Sequence, residues 1–111
     1  MEIVRKNGFN VITPFCPKLD KRTASSLFKH IENEEINVAI NMDYVSDCTI
    51  EFIEELKNIS NNKKIGIFNI SSEIFALFNL MNLDKTIPLF VSEIDFEDNQ
   101  RRLINRRFSV V

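Results

Sequence analysis

Apolar residues recur along this chain with two periods, and the alternation between those periods lays out the elements. Asn7-Gly8 separates two apolar stretches. Both residues tolerate the positive φ of a tight hairpin turn, so a strand near Glu2–Lys6 is expected to pair with one near Asn10–Phe15. Pro14 and Pro17 lack the amide a ladder needs, which ends the second strand close to Cys16. Asp20 then caps a helix whose apolar stripe is Ala24, Leu27, Phe28 and Ile31, ahead of the acidic run Glu32-Asn33-Glu34-Glu35. Ile36 to Met42 is short and rich in branched residues, as an interior strand buried on both faces is. Asp47 is expected to cap a second helix, with Ile50, Ile53 and Leu56 on one stripe and Phe52, Leu56 and Ile59 on its neighbour. Asn61-Asn62-Lys63-Lys64 breaks that helix, and Ile65 to Ile70 forms another interior strand. Ser71 or Ser72 caps a third helix carrying Ile74, Leu77, Phe78 and Met81 on one face. Ile87 to Val91 is the last expected strand, near an edge because of Pro88, and a terminal helix follows from about Glu93.

A hairpin followed by alternating helices and strands predicts an α/β fold: a mixed, mostly parallel sheet with an N-terminal β-hairpin, about four helices and right-handed crossovers. At 111 residues the chain is long enough for one core, so 1–111 reads as one domain. Neither a repeat nor a linker interrupts it.

Composition narrows the chemistry. Ten Phe and no Trp fill the interior with benzyl and branched groups, while only two Gly leave little material for a phosphate-cradling loop. No apolar run approaches the roughly 20 residues of a membrane span. Met1-Glu2-Ile3-Val4-Arg5-Lys6 lacks the long apolar stretch of a secretory leader, so a cytoplasmic protein without membrane insertion is expected. Cys16 and Cys48 are widely separated and expected to be reduced. With His30 as the sole histidine they make no ligand pattern, so neither a metal nor a cofactor is expected. A net charge of −2 speaks against a nucleic-acid partner. Arg101, Arg102, Arg106 and Arg107 form a basic tail that would suit nucleic acid or anionic lipid. The alternative is a solvated terminal helix, since Glu97 and Asp98 precede Arg101 and Arg102 by the four residues that favour helical ion pairs.

Catalytic groupings are sparse. Cys48 and His30 would make a nucleophile–base pair, but His30 lies among Lys29 and Glu32 late in a helix, where a histidine faces solvent. Glu34-Glu35 and Glu54-Glu55 send neighbouring carboxylates in different directions, and no nucleophile elbow is present. A non-enzyme is expected. Asp47-Cys48-Thr49 is more suggestive, because it stands at a helix start, where unpaired amides favour an anion. A phosphate esterified to a hydroxyl there would accept those amides and add a charge of about −1.5 to −2. On the plainer reading Asp47 is a cap, Cys48 a small buried residue and Thr49 part of the first turn. Cys48 is also a candidate oxidation sensor if the helix start lowers its pKa. Ile50, Phe52 and the off-stripe Phe75 are either an exposed apolar patch for a partner or simply core.

Three stretches in this order resemble a STAS domain, the module of anti-sigma-factor antagonists and of sulphate-transporter tails. Leu19-Asp20 followed by Thr23-Ala24 is similar to that family's Leu-Asp turn into its first helix. Ile40-Asn41-Met42 followed by Asp47-Cys48 is similar to its strand and Asp-Ser switch loop. Ile74, Leu77-Phe78, Leu83 and Lys85-Thr86-Ile87 are similar to its third helix and the strand after it. The resemblance implies docking on a kinase-type anti-sigma factor, or another signalling protein, through the first-helix entrance and the switch helix. Asp20, Thr23, Asp47, Cys48, Thr49, Ile50 and Phe52 are then the expected partner-binding residues. In the family's antagonists, phosphorylation of the serine after the switch-loop Asp releases the partner. Here Cys48 holds that place, and Ile50 and Phe52 replace glycines that let another backbone approach. The segment from Asp20 to Asp47 is also compact for the family. Thr49 carries a hydroxyl one position on, turned by about 100° on a helix, and is the possible displaced phosphorylation site. The expected function is that of a protein-binding regulator acting by sequestration; the alternative is a constitutive structural subunit of a signalling scaffold or transporter complex.

Overall fold

A computed structural model describes residues 1–6, 8–33 and 37–99. Strands β1 (Glu2–Lys6) and β2 (Phe9–Thr13) pair antiparallel, with Lys6 opposite Phe9. Gly8 turns the chain between them at φ +83°, a left-handed conformation that a Cβ disfavours. Asn7, expected beside it in the turn, lies outside the described residues, as do Glu34, Glu35 and Ile36. The same holds for Arg101, Arg102, Arg106 and Arg107 and so for their expected pairing with Glu97 and Asp98. β2 stops at Thr13, short of the expected end near Cys16, because Pro14 already lacks an amide for the ladder.

A two-residue strand, β3 (Lys18–Leu19), leads through a turn into helix α1 (Ser25–Asn33). The chain continues through β4 (Asn37–Asn41), β5 (Asp47–Cys48), α2 (Ile50–Ser60), β6 (Ile65–Phe68) and α3 (Ser72–Leu80). A 3-10 turn at Leu83–Lys85 and a helix at residues 93–99, α4, complete the described fold. The main sheet has the order β1-β2-β4-β6, with β2, β4 and β6 mutually parallel and β1 antiparallel at the edge. This is an α/β fold with a mixed, mostly parallel sheet and an N-terminal hairpin, carrying four helices among the described residues.

Element ends also differ from expectation. β6 ends at Phe68, two residues before the expected Ile70. Ser71, not Ser72, caps α3, its Oγ accepting from Ile74 N at 3.3 Å. The strand expected over Ile87 to Val91 reduces to one parallel bridge between Ile67 and Leu89. There Ile67 N donates to the Pro88 carbonyl and Phe90 N donates to the Ile67 carbonyl. Pro88 offers an acceptor but no donor, which limits the ladder to this single rung.

Strand alternation divides the interior into two unequal cores. Ile12, Val38, Ile40, Ile65 and Ile67 face the helices, where Leu27, Ile31, Phe52, Leu56, Ile74 and Phe78 cover them. The alternate residues Phe9, Val11, Ala39 and Phe68 form the other face, covered by Phe96 from α4. Phe96 is 4% exposed and meets Phe9 and Phe90 edge-on and Phe68 in a stack, with ring centroids 5.1 to 5.4 Å apart. Lys6 adds ion pairs to Glu93 at 2.8 Å and Glu97 at 3.1 Å. Those charges are half-solvated and screened, so burial of Phe96 does most of the work of attaching α4.

Gly66 makes room for that ring. A Cβ on Gly66 would lie 2.9 Å from Phe96 Cε2, closer than carbon atoms approach. Gly66→Ala should therefore lower unfolding stability by about 1–3 kcal/mol through overpacking. Phe96→Leu placed on top of it should recover part of that loss, read as the urea midpoints of the single and double variants.

Candidate functional site

A second, two-stranded sheet assembles the candidate residues. β3 pairs with β5 in parallel, Lys18 beside Asp47 and Leu19 beside Cys48. The Pro17 carbonyl opens this ladder by accepting from Ser46 N at 2.8 Å, Asp47 N at 3.0 Å and Ser46 Oγ at 3.1 Å. Thr49 N closes it by donating to the Leu19 carbonyl at 3.0 Å. Leu19 and Cys48 point into the core, which anchors both strands. Asp20 and Thr23, distant in sequence, are thereby set beside Asp47, Cys48 and Thr49.

On the first side of the ladder, Asp20 and Thr23 cap one another. Asp20 Oδ1 accepts from Thr23 N at 2.8 Å, and Thr23 Oγ1 accepts from Asp20 N at 2.9 Å. This is the reciprocal logic of a capping box, with threonine replacing the usual glutamate. The Thr23 hydroxyl also lies 2.9 Å from Asp20 Oδ1 and 3.0 Å from the Lys18 carbonyl, two acceptors for its single proton. The Thr23 amide, and then its hydroxyl, hold the Asp20 carboxyl below the usual value of 3.8. Asp20 thus caps the turn at residues 21–24 that leads into α1, while α1 itself begins only at Ser25, later than expected.

On the second side the cap is Thr49, not Asp47. Thr49 has extended backbone at φ −88° and ψ 163°, and its Oγ1 accepts from Phe52 N at 3.3 Å. The reason is the β5 ladder: pairing with β3 keeps the backbone extended through Cys48, which moves the cap one step past it. Asp47 is left exposed on the strand.

Two further expectations are corrected. Phe52 is fully buried and stacks on Phe28 at 5.4 Å, so it belongs to the core and offers nothing to a partner. Phe75 is half-buried against that same core, which leaves Ile50, 52% exposed at the start of α2, as the apolar group of the supposed patch. Burial pushes the Cys48 thiol up to about 11, with the Asp47 charge adding to the effect. A low-pKa oxidation sensor requires the opposite shift. His30 is exposed on α1, and both cysteines are free thiols.

Several features of this surface were not anticipated from the sequence. Phe15 and Tyr44, 55% and 57% exposed, pack edge-on at 5.1 Å just beyond the ends of β2 and β4. They flank the entry to the short ladder, since Phe15 precedes Pro17 and Tyr44 precedes Ser46. The available signal was an aromatic in each polar turn that follows a strand. A groove of about 470 Å³ runs between α1 and α2, with Phe28, Lys21, Glu51, Glu54 and Glu55 among its walls. At the ends of β4 and β6, Asn69 adopts a left-handed φ of 58° and donates from Nδ2 to Asn41 Oδ1 at 2.9 Å. Asparagine tolerates that conformation better than other side chains.

Among the described residues no group of three or more His, Cys, Asp or Glu is placed to hold a metal ion. No described helix is long and apolar enough to cross a membrane. No protein-family model matches the chain, and no curated protein matches it.

Two outcomes follow from this geometry. Thr49→Ala should cost about 1 kcal/mol of stability through the lost cap. Asp47→Ala should stay within about 0.5 kcal/mol of the parent, both read by urea unfolding. The second outcome concerns acid stability. Because folding depresses the Asp20 pKa, its contribution is present above the usual 3.8 and disappears as pH falls through the folded value. Thr23→Val removes the hydroxyl bond but keeps the amide, so a carboxyl titration by NMR should show Asp20 moving part of the way back toward 3.8.

Proposed function

We propose that this chain is a STAS-like, protein-binding regulatory module that acts as an anti-sigma-factor antagonist does, by sequestering a kinase-type anti-sigma factor or another signalling protein in the cytoplasm. The observation that carries this reading is the β3–β5 ladder. It fuses the Asp20–Thr23 turn and the start of α2, the two stretches that the family resemblance marks for docking, into one surface. Ile50 supplies an exposed apolar anchor at the start of α2, and Phe15 with Tyr44 supplies an exposed aromatic pair before the ladder. Buried aromatic and aliphatic anchors ringed by polar groups are what protein interfaces use for affinity. The working role is binding, without catalysis, metal, cofactor or nucleic acid.

The regulation differs from that of the family's phospho-switch. Cys48 stands in the serine's place and is turned into the core with its proton retained. Thr49, half-exposed at the cap, is the hydroxyl left at the helix start. The burial of Cys48 also favours a second reading, a constitutive structural STAS subunit of a scaffold or transporter complex, in which no release step is needed.

Tagged co-purification from the native cytoplasm, with mass spectrometry of bait and partner, separates the two. Recovery of a kinase-type anti-sigma factor is the expected result, and Ile50→Glu should weaken its capture about tenfold or more without moving the urea midpoint. The bait's mass reports whether Thr49 carries phosphate. Recovery of transporter or scaffold subunits with no kinase-type protein sinks the antagonist reading in favour of the second.

A further inference from the structure

The groove between α1 and α2 is lined with carboxylates that the described residues leave unpaired. On α2, Glu51, Glu54 and Glu55 fall at i, i+3 and i+4 and share one wall. Like charges at that spacing repel, and none of the three makes an ion pair among the described residues. Phe28 of α1 lies half-buried across from them and stacks inward on Phe52, which gives the groove an apolar side. A second hollow of about 400 Å³ continues the groove, sharing Glu55 with it and adding Glu32 and Lys63. With Lys21 at the other end, four carboxylates face two ammoniums, so the channel carries a net charge of −2.

The chain itself holds a segment of opposite character. Beyond Asn99, the last described residue, it reads Gln100-Arg101-Arg102-Leu103-Ile104-Asn105-Arg106-Arg107-Phe108. Two arginine pairs enclose two aliphatic side chains, and an aromatic one follows. Arginine suits a row of carboxylates, because its planar fork donates two bonds at once. α4 delivers this segment to the right end of the molecule. Phe96 shares a small cavity with Lys64 and Gly66 at the start of β6, and Lys63, one residue earlier, lines the second hollow. The seven residues from Asn99 to Arg106 span up to about 25 Å. Glu54 stands six residues before the end of α2 at Ser60, about 9 Å by helical rise, and is within that reach.

We propose that the segment Arg101–Phe108 docks in cis along the α1–α2 groove, with its arginines against Glu32, Glu51, Glu54 and Glu55 and its apolar side chains over Phe28. A single exposed ion pair contributes little, so the contact depends on several charges and a ring acting together. Tethering holds the segment at an effective concentration on the order of millimolar, enough to populate a contact that is weak in itself. The proposal is independent of the partner reading above, although Lys21 and Glu51 carry the groove up to Asp20 and Ile50.

Limited trypsin digestion of the full chain tests this, with cleavage after Arg106 and Arg107 followed by mass spectrometry. The parent should be cut there about threefold or more slowly than Glu54→Lys/Glu55→Lys, whose exposed positions leave the fold intact by circular dichroism and urea midpoint. Glu73→Lys/Asp84→Lys makes the same change of net charge away from the groove and should be cut at the parent's rate. In about 1 M salt, where the screening length falls to about 3 Å, the ratio of parent to groove variant should approach one. Arg106→Glu/Arg107→Glu should shift the NMR amide signals of Phe28 and Asn58 and leave that of Phe96 in place. Equal cleavage of parent and groove variant overturns the proposal, as does equal acceleration in the Glu73 and Asp84 control. Groove amides indifferent to the arginine changes would do the same. Protection that fades on dilution of the protein would overturn docking in cis by assigning the contact to neighbouring copies.

Discussion

Parallel pairing of β2, β4 and β6 is the constraint on which the rest of this structure depends. Parallel neighbours cannot be joined by a tight turn, so each return needs a crossover. Here α1 supplies the one from β2 to β4 and α2 the one from β4 to β6, while α3 leads on to the bridge at Leu89. The segments that leave β2 and β4 consequently emerge side by side from the same end. That adjacency is what allows β3 and β5, two residues each, to pair at all. A ladder so short has little strength of its own, and it is held by the burial of Leu19 and Cys48 beneath it. The candidate site is therefore a product of sheet topology more than of any local motif.

The opposite face follows from the same strands by alternation. Phe9, Val11, Ala39 and Phe68 point away from the helices and would be wetted without α4. One aromatic ring, Phe96, closes most of that surface, and Gly66 is the position where the backbone has to yield to it. Glycine there weakens β6 intrinsically, since it adds entropy cost and no packing of its own. The ring stacked over it compensates. The two glycines of this chain thus have separate reasons: one supplies a left-handed turn at Gly8, the other a close approach at Gly66.

Much of the fold was legible in the residues because its elements are marked by period and punctuation. Asn7-Gly8 marked the hairpin, branched runs marked the interior strands, and apolar stripes marked α1 to α3. What escaped was set by contacts between segments. The last strand looked adequate from Ile87 to Val91, yet proline beside a single available neighbour left one bridge. The cap of α2 was misplaced because β3–β5 pairing, invisible in a linear pattern, prolongs the extended backbone past Asp47. Phe52 was ambiguous for the same reason, since a residue on the second of two adjoining stripes faces the core or solvent according to where the helix docks. The joining of Asp20–Thr23 with Asp47–Thr49 was expected only through family resemblance, whereas the Phe15–Tyr44 pair had no periodic signal to reveal it.

The short ladder also decides which groups at the site are available for chemistry. Strand alternation places Asp47 outward and Cys48 inward, so position 48 is occupied by a residue that the core receives. A polar or modified side chain there would have to be desolvated or would pull β5 off β3. Thr49 is the next hydroxyl, but it is already used as the acceptor for Phe52 N. A phosphate on Thr49 would keep an acceptor at the helix start, where the amides and the dipole favour it. It would also stand between Asp47 and Glu51, two carboxylates of like charge. Modification at this position is therefore a balance of a local gain against local repulsion.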